Sequence, residues 1–143
     1  MSTRSRQKKY FTVDEANATL PLVSSILNDI TRLANDLKQR HDVLQRMREG
    51  DGLTPAHQEE LQSLIEEFER EQDHMQEFEQ ELRKLGIELK DYFTGLVDFP
   101  CWMNNHEVYL CWRLGEPEVA YWHELDAGFA GRKQLPKRTA PQA

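Results

Sequence analysis

The sequence predicts an α+β protein: a long antiparallel two-helix, coiled-coil-like hairpin followed by a small, C-terminal, mostly antiparallel β-sheet. Three observations predict it. Apolar residues recur at alternating intervals of three and four over two long runs, the spacing of a helical seam. A Gly50-Asp51-Gly52 break separates the runs. After Gly86 the period drops to two, and residues 91–132 then hold all three tryptophans, both cysteines and three of the four tyrosines, with no lysine.

Thr12 is a helix N-cap, and Glu15, three residues on, completes a capping box. Phe11 stands where it can pack back on the first turn. Pro21 falls inside the pattern, so the first turns are expected to form a short separate helix, with the long one starting near Leu20. The seam runs Leu20, Val23, Leu27, Ile30, Ala34, Leu37, His41, Leu44. Thr54-Pro55 restarts the helix as cap and first position, and the second seam runs Leu61, Leu64, Phe68, Glu71, Met75, Phe78, Leu82, Leu85. A turn of about five residues makes the two helices antiparallel. Folding the seam at that turn sets Leu37 near Phe68, His41 near Leu64 and Ala34 beside Glu71, which is left room to bend toward water. The polar seam residues are read as register-setting.

Four strands are expected next: Ile87–Lys90, residues 95–100 closed by Pro100, residues 107–113 after an Asn104-Asn105 turn, and residues 118–124 after Gly115-Glu116-Pro117. Residues 126–132 form a glycine-rich exit loop. The simplest register for the last hairpin sets Arg113 opposite Glu118, Cys111 opposite Ala120, Tyr109 opposite Trp122 and Glu107 opposite Glu124. Val108, Leu110, Trp112, Val119, Tyr121 and His123 then share the face that packs on the helices.

This register puts two carboxylates, Glu107 and Glu124, in direct opposition, which is unfavourable. An arginine between them (Arg113 or Arg132), a shared proton or a bound cation would hold them; a slipped register would remove the conflict. His123, beside Glu124, is a half-buried histidine bonded to the backbone or a metal ligand. The candidate metal ligands are therefore His123, Glu124 and Glu107, with a divalent metal as the one cofactor suggested. Arg113, Glu116, Trp122 and Arg132 are the candidate ligand-binding residues, Arg132 closing an anion-binding loop with the backbone donors of residues 128–131. Cys111 is read as a buried apolar residue and Cys101 as the more exposed of the two thiols. No residues are singled out as catalytic: no phosphate loop, dinucleotide fingerprint or nucleophile elbow is present.

Bulk properties narrow the function. The chain has 143 residues, a net charge of −7, 38% hydrophobic and 30% charged residues, which suits one domain with a modest core and argues against general nucleic-acid binding. The charge is uneven: residues 54–85 carry ten acids against three bases, whereas residues 19–49 carry five bases and four acids. Arg4, Arg6, Lys8, Lys9 and Arg132, Lys133, Lys137, Arg138 make both ends basic. The start lacks an apolar h-region and no apolar run is long enough to span a bilayer, so a cytoplasmic protein with reduced thiols, without membrane contact, is expected. The organisation is read as a disordered basic tail at 1–10, the hairpin at 11–86, a β subdomain at 87–132 packed on the hairpin base, and a disordered tail at 133–143.

The segments Gly95-Leu96-Val97-Asp98-Phe99-Pro100, Glu107 through Glu116, Tyr121-Trp122-His123-Glu124 and Gly128-Phe129-Ala130-Gly131-Arg132, with Phe11-Thr12, Glu15-Ala16 and Leu20-Pro21 at the front, resemble an uncharacterised bacterial family, the domain of unknown function numbered 2203, over about residues 10–135. The resemblance implies no established activity, substrate or cofactor. It implies that Trp112, Arg113, Gly115, Glu116, Trp122, His123, Glu124 and Arg132 form a family signature.

The expected function is a non-enzymatic cytoplasmic interaction or scaffold module, acting through its hairpin on a second copy, as a homodimer, or on a protein partner. The alternative is a small-ligand or metal-binding protein, conceivably an enzyme, with its site in the Trp/Arg/Glu/His-rich β subdomain. A weaker alternative is nucleic-acid contact through the basic tails.

Overall fold

A computed structural model describes residues 8–50 and 54–136. Two helices, α1 (Val13–Glu49) and α2 (Pro55–Lys84), form the hairpin. A five-stranded antiparallel sheet follows in the order β1-β2-β3-β4-β5: β1 (Glu88–Asp91), β2 (Leu96–Met103), β3 (His106–Arg113), β4 (Tyr121–Glu124) and β5 (Lys133–Gln134). A 3-10 turn at Phe129–Gly131 precedes β5. Asp51 and Gly52, two of the three residues of the expected helix break, lie outside the described residues.

The capping box is present: Glu15 N–H donates to Thr12 Oγ1 at 3.0 Å and Thr12 N–H donates to Glu15 Oε1 at 2.9 Å. Thr54 caps α2 by accepting from His57 N–H. The separate first helix is not: α1 runs unbroken through Pro21. An interior proline costs about 3 kcal/mol in an isolated helix, but Ala16, Leu20 and Val23 on either side of it are buried, and their burial offsets a loss of that size. Phe11 packs edge-on against Phe99 of the sheet, at 5.2 Å between centroids, in the same buried cluster as Ala16.

The helix pairing sits about one turn further along α2 than the sequence count placed it. His41 lies beside Phe68, 6.3 Å between ring centroids, not Leu64. The count assumed helices level at the turn, and a five-residue connection leaves an axial offset of one turn, about 5.4 Å, free. Glu71 does not turn to water: Arg40 bridges it and Glu67.

One face of the sheet covers the base of the hairpin. Val97, Phe99, Cys101, Val108, Leu110 and Trp112 join Val23, Ile26, Leu27, Ile30 and Leu82 in one core, which ends at Ala34 and Met75 with Leu37 and Phe78 at its margin. β2 and β3 meet in a two-residue turn with Asn104 and Asn105 at φ 51° and 69°, the conformation asparagine tolerates best after glycine. β2 does not stop at Pro100 but continues to Met103. Pro100 carbonyl accepts from Phe11 N–H at 2.7 Å, so the missing proline N–H faces an edge where β1 has already ended. Gly95, at φ 72°, closes the β1–β2 turn, and a Cβ there would meet Leu114 Cβ at 2.9 Å.

The last hairpin departs from the expected register by one residue. Cys111 pairs with Tyr121, Leu110 with Trp122, Tyr109 with His123 and Val108 with Glu124. Residues 118–120 leave the ladder, because Val119 is buried and its N–H donates to Asn17 Oδ1 of α1 at 2.7 Å. A one-residue slip moves every side chain of a strand to the other face: Tyr121 and His123 now lie away from the helices, and Trp122 packs toward the core. Residues 8–10 and 133–136, assigned to tails from the sequence, contact the sheet: Lys8 and Tyr10 reach Glu107, and Leu135 N–H donates to Ala120 carbonyl.

Candidate functional site

The face of the sheet turned away from the helices carries Glu88, Asp98, Glu107, Arg113 and His123. Register explains which of them meet. Asp98 of β2 stands directly opposite Cys111 of β3, and His123 of β4, opposite Tyr109, lies diagonally across from Cys111 on the same face. The three are buried, at 2%, 0% and 2% exposure. His123 Nε2 is 3.0 Å from Asp98 Oδ2, and His123 Nδ1 is 2.7 Å from the Glu124 carbonyl. A carbonyl only accepts, so Nδ1 carries a proton and donates. Asp98 Oδ1 is buried with no hydrogen-bond partner among the described residues. Burial pushes the Asp98 carboxyl up, opposed by the pull of the His123 ring, Lys90 and the Cys111 thiol.

The expected metal set does not assemble. The register slip takes Glu124 away from Glu107: Glu107 is bound by Lys8 and Tyr10, and Glu124 pairs with His106 at 3.3 Å. The Lys8 ammonium, hydrogen-bonded to Glu107, holds that carboxyl below its usual range. Of the three residues only His123 belongs to a cluster, and its carboxylate partner is Asp98. Sequence reasoning passed over Asp98 although a charge inside Leu96-Val97-Asp98-Phe99 was visible; an acid within an otherwise apolar strand run needs a partner.

Of the expected ligand-binding residues, three converge. Arg132 NH2 donates to both Glu116 oxygens, at 3.0 and 2.9 Å, and Arg113 N–H donates to Glu116 Oε1 at 2.8 Å. The Arg132 guanidinium lies 3.9 Å over the Tyr121 ring and 4.6 Å over Phe129, and Arg113 lies 5.2 Å over Phe129. Trp122 is on the opposite face. The unit ties the exit loop to the β3–β4 connection: Arg132 NH2 pairs with the Glu116 carboxylate, while Arg132 Nε is buried with no hydrogen-bond partner among the described residues. In the exit loop, Gly131 and Arg132 N–H bond to the carbonyls of Gly128 and Phe129.

Cys111 is buried, as read from the sequence; Cys101 is the more exposed of the two thiols, as expected, but at 5% against 0% it is buried as well. It points from β2 into the core because strand alternation puts it on the helix face with Phe99. Burial pushes both thiols up, Cys111 to about 12. Neither has the lowered pKa a nucleophilic cysteine needs. A thiol reagent at about pH 8 is therefore expected to modify neither cysteine until denaturant is added; stoichiometric labelling of the native protein would contradict this packing.

Among the described residues no helix is long and apolar enough to cross a membrane. A family model described as an uncharacterized conserved protein (DUF2203) matches residues 9–135, so the chain belongs to that family. No curated protein and no solved structure matches it.

Proposed function

We propose, taking membership of this uncharacterised family as the premise, that the protein is a non-enzymatic interaction module of the cytoplasm that self-associates through the outer half of its hairpin. One observation carries the reading: the core ends at Ala34 and Met75, and beyond it the helices cover each other only in part. Leu61, Leu64, Ile65 and Phe68 are half-buried and Val43 is 39% exposed. A groove of about 350 Å³ lined by Arg40, Val43, Leu44 and Leu64 opens on this stretch. Near the sheet, by contrast, Val23, Leu27, Ile30 and Leu82 are fully covered. A helix pair with one seam leaves its flanks wet unless further helices cover them.

The favoured occupant is a second copy. The outer part of α1 presents Lys38, Arg46 and Arg48, and the outer part of α2 presents Glu59, Glu60, Glu66 and Glu69. A two-fold arrangement sets these basic residues of each copy against the acidic helix of the other. Light scattering on purified protein is expected to return twice the mass of the 16.8 kDa chain, and Val43→Glu to return a monomer of unchanged helicity. A monomer at all concentrations up to about 100 μM, weaker than ordinary dimers, would refute the dimer, as would a Val43→Glu protein of unaltered mass.

A further inference from the structure

We propose that Asp98, Cys111 and His123 bind one thiophilic divalent cation, of the zinc class, as a closed structural site that ties β2, β3 and β4 together. One donor atom from each residue lies within 4.8 Å of the other two. Zinc bonds of about 2.0–2.3 Å place neighbouring donors of a tetrahedral site about 3.3–3.7 Å apart. The Nε2–Oδ2 pair, at 3.0 Å, is near that spacing already, and the thiol needs to close by about an ångström at most.

Three further features fit a metal. His123 donates Nδ1–H to the Glu124 carbonyl at 2.7 Å, the outer bond that commonly fixes the tautomer of a metal-binding histidine and aims Nε2 at the ion. Asp98 Oδ1, buried and unpartnered, is free to serve as a fourth donor by bidentate carboxylate binding. The charges also close: a thiolate, a carboxylate and a dication sum to zero, which suits a site sealed from water. Mixed nitrogen, oxygen and sulfur donors favour zinc over magnesium or calcium, which take oxygen. Loading releases the Cys111 thiol proton and the proton shared by His123 and Asp98 to solvent. With every donor buried, the ion has no open position for a substrate, so its role is to hold the strands. The inference is independent of what the hairpin binds.

The test is made on the full chain. Protein produced with zinc supplied is expected to retain about one equivalent by elemental analysis. Cobalt(II) loaded into metal-free protein is expected to give a thiolate charge-transfer band that Cys111→Ala abolishes and Cys101→Ala keeps. Because Cys111→Ala removes a buried side chain and the variant can fail to fold, a readout on the unaltered chain stands beside it: zinc at a hundredfold excess over Kd raises the melting temperature by about 5–10 °C. Folded protein that retains no zinc, gives no cobalt–thiolate band and melts at the same temperature with and without zinc overturns the proposal, leaving a hydrogen-bonded Asp98–His123 pair. A cobalt band lost equally in Cys101→Ala overturns the assignment to Cys111.

Discussion

Trp112→Ala is expected to cost about 3–5 kcal/mol of folding free energy, while Trp102→Ala costs well under 1 kcal/mol. The two residues are the same type, and each sits in a strand of the β2–β3 hairpin. Trp112 faces the helices, is 2% exposed, and belongs to the core that it shares with Ala16, Leu20 and Val23 of α1. Its indole N–H donates to the Glu116 carbonyl at 3.2 Å, so truncation leaves both a large void and an acceptor without its donor. Trp102 is 56% exposed near the far end of β2, with its ring 5.6 Å from Tyr10. Against a typical total of about 5–15 kcal/mol, the first loss brings the fold close to unfolding at ambient temperature and the second is hardly felt. Urea melts followed by circular dichroism measure both. Similar costs for the two would mean that the sheet does not pack on the hairpin by the face described.

Whatever was set by neighbours in sequence was legible without coordinates. Thr12 with Glu15, Thr54 with Pro55, the Asn104-Asn105 turn and the two seams each depend on residues within a turn or two of one another. What failed depended on distant partners. Residues 118–124 alternate well and predict a last strand that begins at Glu118. Nothing local indicates that Asn17, about a hundred residues earlier, holds Val119 out of the ladder. That one contact shifts the register, exchanges the faces of Tyr121, Trp122 and His123, and separates Glu107 from Glu124. The same shift brings His123 onto Asp98. The sequence therefore singled out His123 but set it beside Glu107 and Glu124, where the structure sets it beside Asp98 and Cys111. Arg113, Glu116 and Arg132 were correctly suspected of acting together, but residue types alone do not reveal whether such charges face a ligand or one another.

The Asp98–His123 pair offers the sharpest electrostatic test, made in chelator so that no metal contributes. His123→Ala is expected to cost about 3–5 kcal/mol at about pH 7, because it leaves a carboxylate buried without its charged or hydrogen-bonded partner. Asp98→Ala is expected to cost less, about 1–3 kcal/mol, since the imidazole left behind can be neutral and only Nε2 loses its partner. The difference is not merely cavity size, and pH separates the two causes. In the unaltered protein burial raises the Asp98 carboxyl and the His123 ring holds it down; removing the ring lets it rise further. A carboxyl whose folded pKa exceeds its unfolded one favours the folded state at pH values below the unfolded pKa. That advantage is lost as pH climbs through the folded pKa. His123→Ala should thus regain stability as pH falls from neutral toward the unfolded carboxylate pKa of about 3.9, whereas a void does not titrate. The double variant should cost less than the sum of the two, with a coupling of about 0.5–3 kcal/mol. Strict additivity, or a His123→Ala deficit that stays constant across that pH interval, would mean that the pair carries no charge-dependent interaction and that the cluster is held by packing alone.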